Sequence, residues 1–353
     1  MVLDIVWFLA GSFLIVATTL SAVRTVVIPH GGASRLTHLV FSVVTMLSSW
    51  ADHLPIPFRQ RRRFAQITVA LGLLALPLTW LFLSVAGFTL LFRSLGSQTW
   101  RAAYELAGSS TFTLGFSRPD DLPSQTLAFL AGALAISILA LLLVTYLPTI
   151  YAAYSERESR LTAFEAVAGE PPDVAAMMIR VHRLSGADRL DGMWDGWQEW
   201  FADLRETHTA LPAVALMKSS REDRNWVETV GVLLDSAATS LAVLDRPPNP
   251  EAALCIRSGS LALRDIAEYF GVQVDEDPDP DAPISISRSA WDQAYDDLAE
   301  AGIPLVDRDR AWDGWKGWRL NYDQSLVGLG DITGSQTTRL VGDGDYGEEG
   351  IGE

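Results

Sequence analysis

The sequence predicts a mainly α-helical protein, with a three-span membrane domain followed by an all-helical soluble domain. Three observations lead there. The stretches 5–23, 64–92 and 125–151 of this 353-residue chain each meet the length of about 20 apolar residues that a helix needs to cross a bilayer core of roughly 30 Å. Charge is partitioned as well. Residues 1–150 carry nine Arg, no Lys and five acidic residues, a formal charge of +4, whereas residues 151–353 carry 18 basic and 38 acidic residues, or −20. Beyond residue 152 the chain breaks into helix-length pieces at Gly, Pro and Asn, and no strand pattern stands out.

The composition excludes several function classes. So acidic a soluble part would repel a phosphate backbone, so nucleic acid is not an expected partner. Cys255 is the only cysteine, which rules out an intramolecular disulfide, a zinc cluster and a CxxC redox motif, and a buried inert thiol is expected. His30, His38, His53, His182 and His208 show no metal-ligand spacing. With no activated cysteine, nucleophile elbow or metal cluster, no enzyme activity and no cofactor are expected.

Residues 1–28 read as a retained N-terminal anchor. No basic residue precedes the first apolar run, Asp4 sits where a signal peptide has its positive charge, and the run is too long for one. Arg24, Arg35, Arg59, Arg61, Arg62 and Arg63 then cluster between the first and second spans, and arginines collect on the cytoplasmic side. The N-terminus is therefore expected outside a plasma membrane and the soluble domain in the cytoplasm. Residues 29–63 form the cytoplasmic linker, where Leu36, Leu39, Val40, Val43, Val44 and Leu47 recur at helical spacing, as in an interfacial helix or one packed on its neighbours. Pro77 inside the second span implies a kink rather than a break.

Residues 96–124 are too polar and too short for a fourth span, yet Tyr104, Leu106, Ala107 and Phe112 fall in helical order. A half-helix dipping back into the membrane fits, and irregular backbone at that depth is tolerated where it is buried in protein or lines a water-filled path. The segment Thr113, Leu114, Gly115, Phe116, Ser117, preceded by Ser109, Ser110, Thr111 and Phe112, resembles the pore loop of potassium channels, where a short pore helix runs into the filter motif TVGYG. Thr113 and Gly115 match that motif, while Leu, Phe and Ser replace its Val, Tyr and second Gly.

The resemblance covers about residues 64–151. It implies an outer helix, re-entrant pore helix, filter loop and inner helix over 64–152, assembled as a homotetramer in the lipid bilayer. Backbone carbonyls of Thr113 to Phe116 then replace the water shell of a transient potassium ion, with the Thr113 hydroxyl at the innermost site. It also implies a positive φ at the position of Ser117, which costs a residue other than glycine on the order of 1 kcal/mol and distorts the outermost site. Arg118 replaces the Asp usual in such channels and opposes cations at the outer mouth, where Asp120 and Asp121 follow. Gly132 and Pro148 of the inner helix are candidate gating hinges, small-residue packing being the favoured reading of Gly132.

The third span continues as a charged helix through residues 154–168, so that movement of the soluble domain could reach the pore. The helical domain is placed at 153–327. Pro171 and Pro172 open a helix reaching Leu184, and further helices are expected over 191–207, 223–244, from the Asn249 cap to Phe270, from the Ser287 cap to Ala301, and over 308–326. Trp-Asp-Gly-Trp occurs at Trp194 to Trp197 and Trp312 to Trp315, followed by Trp200 and Trp318, which points to anchors of a helical core more than to a ligand site. Asp275, Asp277, Asp279 and Asp281 alternate with prolines as an exposed linker and lack the glycine and terminal glutamate of an EF-hand. From Gly328 the Gly-rich acidic sequence reads as a disordered tail, 328–353.

Two functions follow from these readings. One is a bacterial potassium-channel-like protein that passes cations, potassium being the expected permeant. The other is a non-conducting membrane-anchored scaffold or sensor whose helical domain binds an unidentified cytoplasmic ligand or protein.

Overall fold

The computed structural model describes residues 2–26, 58–95, 99–185, 192–219 and 224–334, with a few single positions between them, and the side chains of the helix starting at residue 58 from residue 75 onward. The chain is mainly helical, and the described residues contain no strand. Three helices are long and apolar enough to cross a membrane. Of the amphipathic helix expected over 36–47, Leu36, Leu39, Val40, Val43 and Met46 are described and helical, Leu36 and Val40 packing against the buried Ala22, Leu76, Trp80 and Ile138, while the tail beyond residue 334 lies outside the described residues. Two compact units divide the chain, Met1–Ala152 and Ala153–Glu353.

The first unit holds α1 (Val2–Val26), α2 (Phe58–Ser94), α3 (Trp100–Thr111) and α4 (Leu122–Leu141). Arg59, Arg61, Arg62 and Arg63 lie inside the first turns of α2, so the linker expected to end at residue 63 gives way to helix at Phe58. Arginine is a good helix former, and a basic run does not stop a helix.

Helices α1 and α2 run antiparallel. Gly11 meets Gly87 so closely that a Cβ added at Gly11 would stand 2.7 Å from the Gly87 carbonyl oxygen. Further along, the Trp80 indole N–H donates to Ser21 Oγ at 3.2 Å. On these helices the hydroxyls of Thr18, Thr19, Thr79, Ser84 and Thr89 donate to the carbonyl four residues back, which satisfies them in apolar surroundings. Gly11→Ala is expected to destabilise the detergent-solubilised protein by about 1–3 kcal/mol, because the new methyl meets backbone that cannot move aside. Gly108→Ala, with nothing within 4 Å of its Cβ position, is the matched control in a thermal-unfolding comparison.

After α4 the helix widens into a π-helical segment, Leu142–Tyr146, and resumes as α5 (Leu147–Ala168). Pro148 lacks an N–H and its ring crowds the carbonyl of Val144, and the wider turn just upstream relieves that clash.

The second unit contains α6 (Val174–Ser185), α7 (Trp197–Ala210), the short α8 (Pro212–Leu216), α9 (Trp226–Ala242), α10 (Pro250–Tyr269), α11 (Arg288–Glu300), α12 (Arg308–Arg319) and α13 (Asp323–Thr333). Asn249 and Ser287 cap α10 and α11 by accepting from the N–H of Glu251 and Ala290. Gly271 and Gly302, with φ of 82° and 76°, close them.

Four boundaries differ from the sequence reading. Pro171 and Pro172 lie in a turn, and α6 starts after Asp173, whose carboxylate accepts from the Ala176 N–H. The helix expected over 191–207 is split, because Gly196 takes a φ of 78° between a 3-10 turn at Gly192–Trp194 and α7. The helix expected over 308–326 breaks at residues 320–322. The last helix, α13, runs through Gly328 and Gly330 to Thr333, past the expected start of the tail. At Gly328 a Cβ would collide with Val272, so this glycine allows close packing rather than disorder.

Trp194, Trp200, Trp226, Trp291 and Trp315 are buried together with Phe201, Leu233 and Ile266 in one core. Trp197 and Trp200 meet edge-on with centroids 5.2 Å apart, and Trp312 stacks on Trp315 at 6.1 Å. The two Trp-Asp-Gly-Trp segments are thus core anchors. Cys255 is also fully buried, and burial pushes its thiol pKa up.

Candidate functional site

Helix α3 has 12 residues, about 18 Å at 1.5 Å per residue, too short to cross a bilayer. Thr99 caps it, its Oγ1 accepting from the Ala102 N–H at 3.2 Å. Its apolar face, Ala103, Leu106 and Ala107, is wedged between α2, through Val85, Phe88, Leu91 and Phe92, and α4, through Ala131. At its N-terminal end Trp100 meets Trp7 of α1 edge-on at 5.2 Å, and the Arg93 guanidinium lies 5.7 Å from the Trp100 ring centroid.

At its other end α3 delivers the chain to a loop of residues 112–121. Phe112 closes the helix with its N–H on the Gly108 carbonyl, and the N–H groups of Thr113 and Leu114 bond back to Ser110 and Ser109. Thr113 and Gly115 take positive φ values of 54° and 72°. Ser117 does not, so the strain expected there falls instead on Thr113, a β-branched residue for which the left-handed region is costly. Ser117 escapes it because Ser109 holds its backbone in another conformation: the Ser117 N–H donates to Ser109 Oγ at 3.1 Å.

The first half of the loop, residues 112–116, is exposed, whereas Ser117 is half-buried and Pro119 buried. Leu114 is 63% and Phe116 65% exposed, and Phe112, Thr113 and Gly115 are exposed too. Ser109 and Thr111 are buried and Ser110 is half-buried. Arg118 and Asp120 are exposed, while Asp121 caps α4 by accepting from the Ser124 N–H at 2.9 Å. Gln125 Nε2 holds the returning strand of the loop through the carbonyls of Pro119 and Asp120, at 3.2 and 3.4 Å.

Gly132 faces this assembly from α4. A Cβ there would stand 3.3 Å from the Ser110 carbonyl oxygen and 3.9 Å from Thr113 Cγ2, which gives the glycine a packing reason. The irregularity in helix geometry lies further along, at Leu142–Tyr146 before Pro148. Residues 109–118 are thus gathered at one end of α3, Asp120 and Asp121 sit on the return, Gly132 lies beneath, and Pro148 stands apart from them.

Sequence reasoning missed a second polar centre, in the second unit. Arg157 of α5 is buried, donating to the carbonyls of Val214 and Met217, both at 2.8 Å, and to Glu158. Its Nη1 lies 3.4 Å from Nε2 of the fully buried His208, whose Nδ1 is 3.0 Å from Thr207 Oγ1. Arginine only donates, so Nε2 is the acceptor and the imidazole proton sits on Nδ1. Arg224 joins Glu165 and Glu158 beside them. In the sequence the one hint that His208 would be buried is its place four and eight positions after Leu204 and Trp200, on the face of α7 that enters the core.

Comparison with protein-family models, with curated proteins and with solved structures returned no match for the chain.

Proposed function

We propose that this chain is a potassium-channel-like membrane protein in which four copies surround an axial cation pathway, with the backbone of residues 113–117 as its filter. The observation that carries the reading is the helix too short to span, wedged between two apolar helices and ending in a loop whose Leu114 and Phe116 side chains are exposed among the described residues. Exposed Leu114 and Phe116 call for cover, and three further copies around one axis supply it. The C-terminal end of α3 carries the negative end of its dipole toward Thr113, which favours a cation there.

The antiparallel pairing of α1 and α2 agrees with an outward N-terminus and with the arginines of early α2 on the cytoplasmic side of a plasma membrane. Arg118 opposes cations at the mouth; Asp120 offsets it, Asp121 being engaged as a cap. No cofactor is invoked, and potassium is the permeant.

The test is potassium and sodium flux into liposomes holding the purified protein. Gly115→Asp is expected to abolish flux, since it places a carboxylate in the filter and a side chain at a φ of 72°. Undiminished flux in that variant would overturn the reading. No flux from wild-type tetramers would instead favour a membrane-anchored scaffold or sensor, with the soluble unit as its working part.

A further inference from the structure

Among the described residues, Ser109 reaches both halves of the loop. Its carbonyl accepts the Leu114 N–H at 2.9 Å. Its hydroxyl accepts the Ser117 N–H at 3.1 Å and donates to the Ser117 carbonyl at 3.3 Å, using both capacities of a hydroxyl on one residue. Ser109 is itself 2% exposed, which limits the access of water to its hydroxyl. Among the described residues no other hydrogen bond reaches the backbone N–H groups of residues 115–117.

We infer that Ser109 is a positioning residue that ties Ser117 inward and thereby ends the ion-coordinating part of the filter at Phe116. This rests on the conduction reading above. A carbonyl turned toward Ser109 Oγ is not available to a passing ion, so the usable carbonyls are those of Thr113 to Phe116. With Leu114 and Ser117 both fixed to Ser109, Gly115 and Phe116 form a short arch between two anchors, and the spread of their carbonyls is set by the clamp. The number and placement of such carbonyls decide which ion replaces its water shell at least cost.

Removing the hydroxyl leaves the Ser117 N–H and carbonyl without partners in a half-buried place, and the arch relaxes to find others. Ser109→Ala is therefore expected to keep cation flux but lower the potassium-to-sodium permeability ratio about three- to tenfold, the range that one or two buried hydrogen bonds span. Ser109→Thr, which keeps the hydroxyl, is expected to retain the wild-type ratio, a rescue that a merely space-filling role would not produce.

The experiment pairs liposome flux with amide hydrogen exchange over residues 109–121 of the full chain. Faster exchange at Ser117 in Ser109→Ala, together with the lowered ratio and its recovery in Ser109→Thr, supports the clamp. Equal exchange and an equal ratio in wild type and Ser109→Ala overturn it. Wild-type liposomes that pass no cation overturn the conduction reading and with it the filter role, while exchange at Ser117 still reports whether the clamp exists as a contact.

Discussion

Arg319→Met is expected to destabilise the second unit by about 3–5 kcal/mol, the cost of leaving a buried charge without its partner. Arg319 is 1% exposed and sits between two carboxylates. Its Nη1 donates to both oxygens of Asp235, at 2.9 and 2.7 Å, and its Nε to Asp323 at 2.7 Å. Its Nη2 donates to Ser285 Oγ at 3.0 Å, while Tyr322 Oη donates to Asp235 at 2.8 Å. Burial disfavours the guanidinium charge, but Asp235 and Asp323 more than offset that and hold Arg319 protonated. Methionine fills similar space and supplies no donor, so Asp235 and Asp323 face each other across an apolar side chain. Against a typical total of about 5–15 kcal/mol, that loss removes a large part of the stability. Arg319→Lys keeps the charge but cannot serve two carboxylates and a hydroxyl from one planar group, so it falls between. Urea unfolding of the full chain in detergent, followed by tryptophan fluorescence, measures both; a shift below about 1 kcal/mol for Arg319→Met would show that the network contributes little beyond its packing.

Acidification is expected to weaken the same unit through His208. Burial, and then the adjacent Arg157 charge, push its pKa well below 6.5. In the folded protein the ring therefore stays neutral as the pH drops below 6.5, while in the unfolded chain it takes up a proton. The unfolded state then binds more protons, so this contribution to stability is complete above 6.5 and is lost as pH falls toward the folded pKa. The slope reaches at most about 1.4 kcal/mol per pH unit. Arg157, Glu158, Arg224 and Glu165 are the charged groups gathered there, two of each sign, so a protonated imidazole finds no surplus of negative charge. His208→Gln retains an acceptor for Arg157 and cannot titrate. Unfolding midpoints between pH 5 and 7 should fall for the wild type and stay flatter for the variant. Parallel curves would remove His208 as the cause.

The long elements were legible in the sequence because one signal dominates each. Apolar runs of span length mark α1, α2 and α4, and Asn-Pro and Ser caps with glycine stops mark α10 and α11. The errors fall where a residue has two physical uses. Gly328 reads as a tail residue by composition but is required by the side chain of Val272 in a neighbouring turn, a contact no local pattern carries. Gly196 sits inside an aromatic repeat that looks helical throughout, and its positive φ breaks the helix between Trp194 and Trp197, which both join the core. At the candidate site the residue types and their order were readable, and so was the placement of α3 between spans. The Ser109 clamp was not, because a serine eight residues from its partner meets it only once the loop has turned back. The buried ion network was equally hidden, since Asp235 and Arg319 are 84 positions apart.

The burial of Cys255 has a practical consequence. A thiol at the centre of a tight core, held protonated by its surroundings, is out of reach of alkylating reagents and spin labels as long as the protein stays folded. The native chain thus serves as an unreactive background, and any cysteine introduced on the surface becomes the sole addressable point. Reagents that do not cross lipid then report, one position at a time, which side of the bilayer each loop faces, without first stripping the protein of a residue its core depends on.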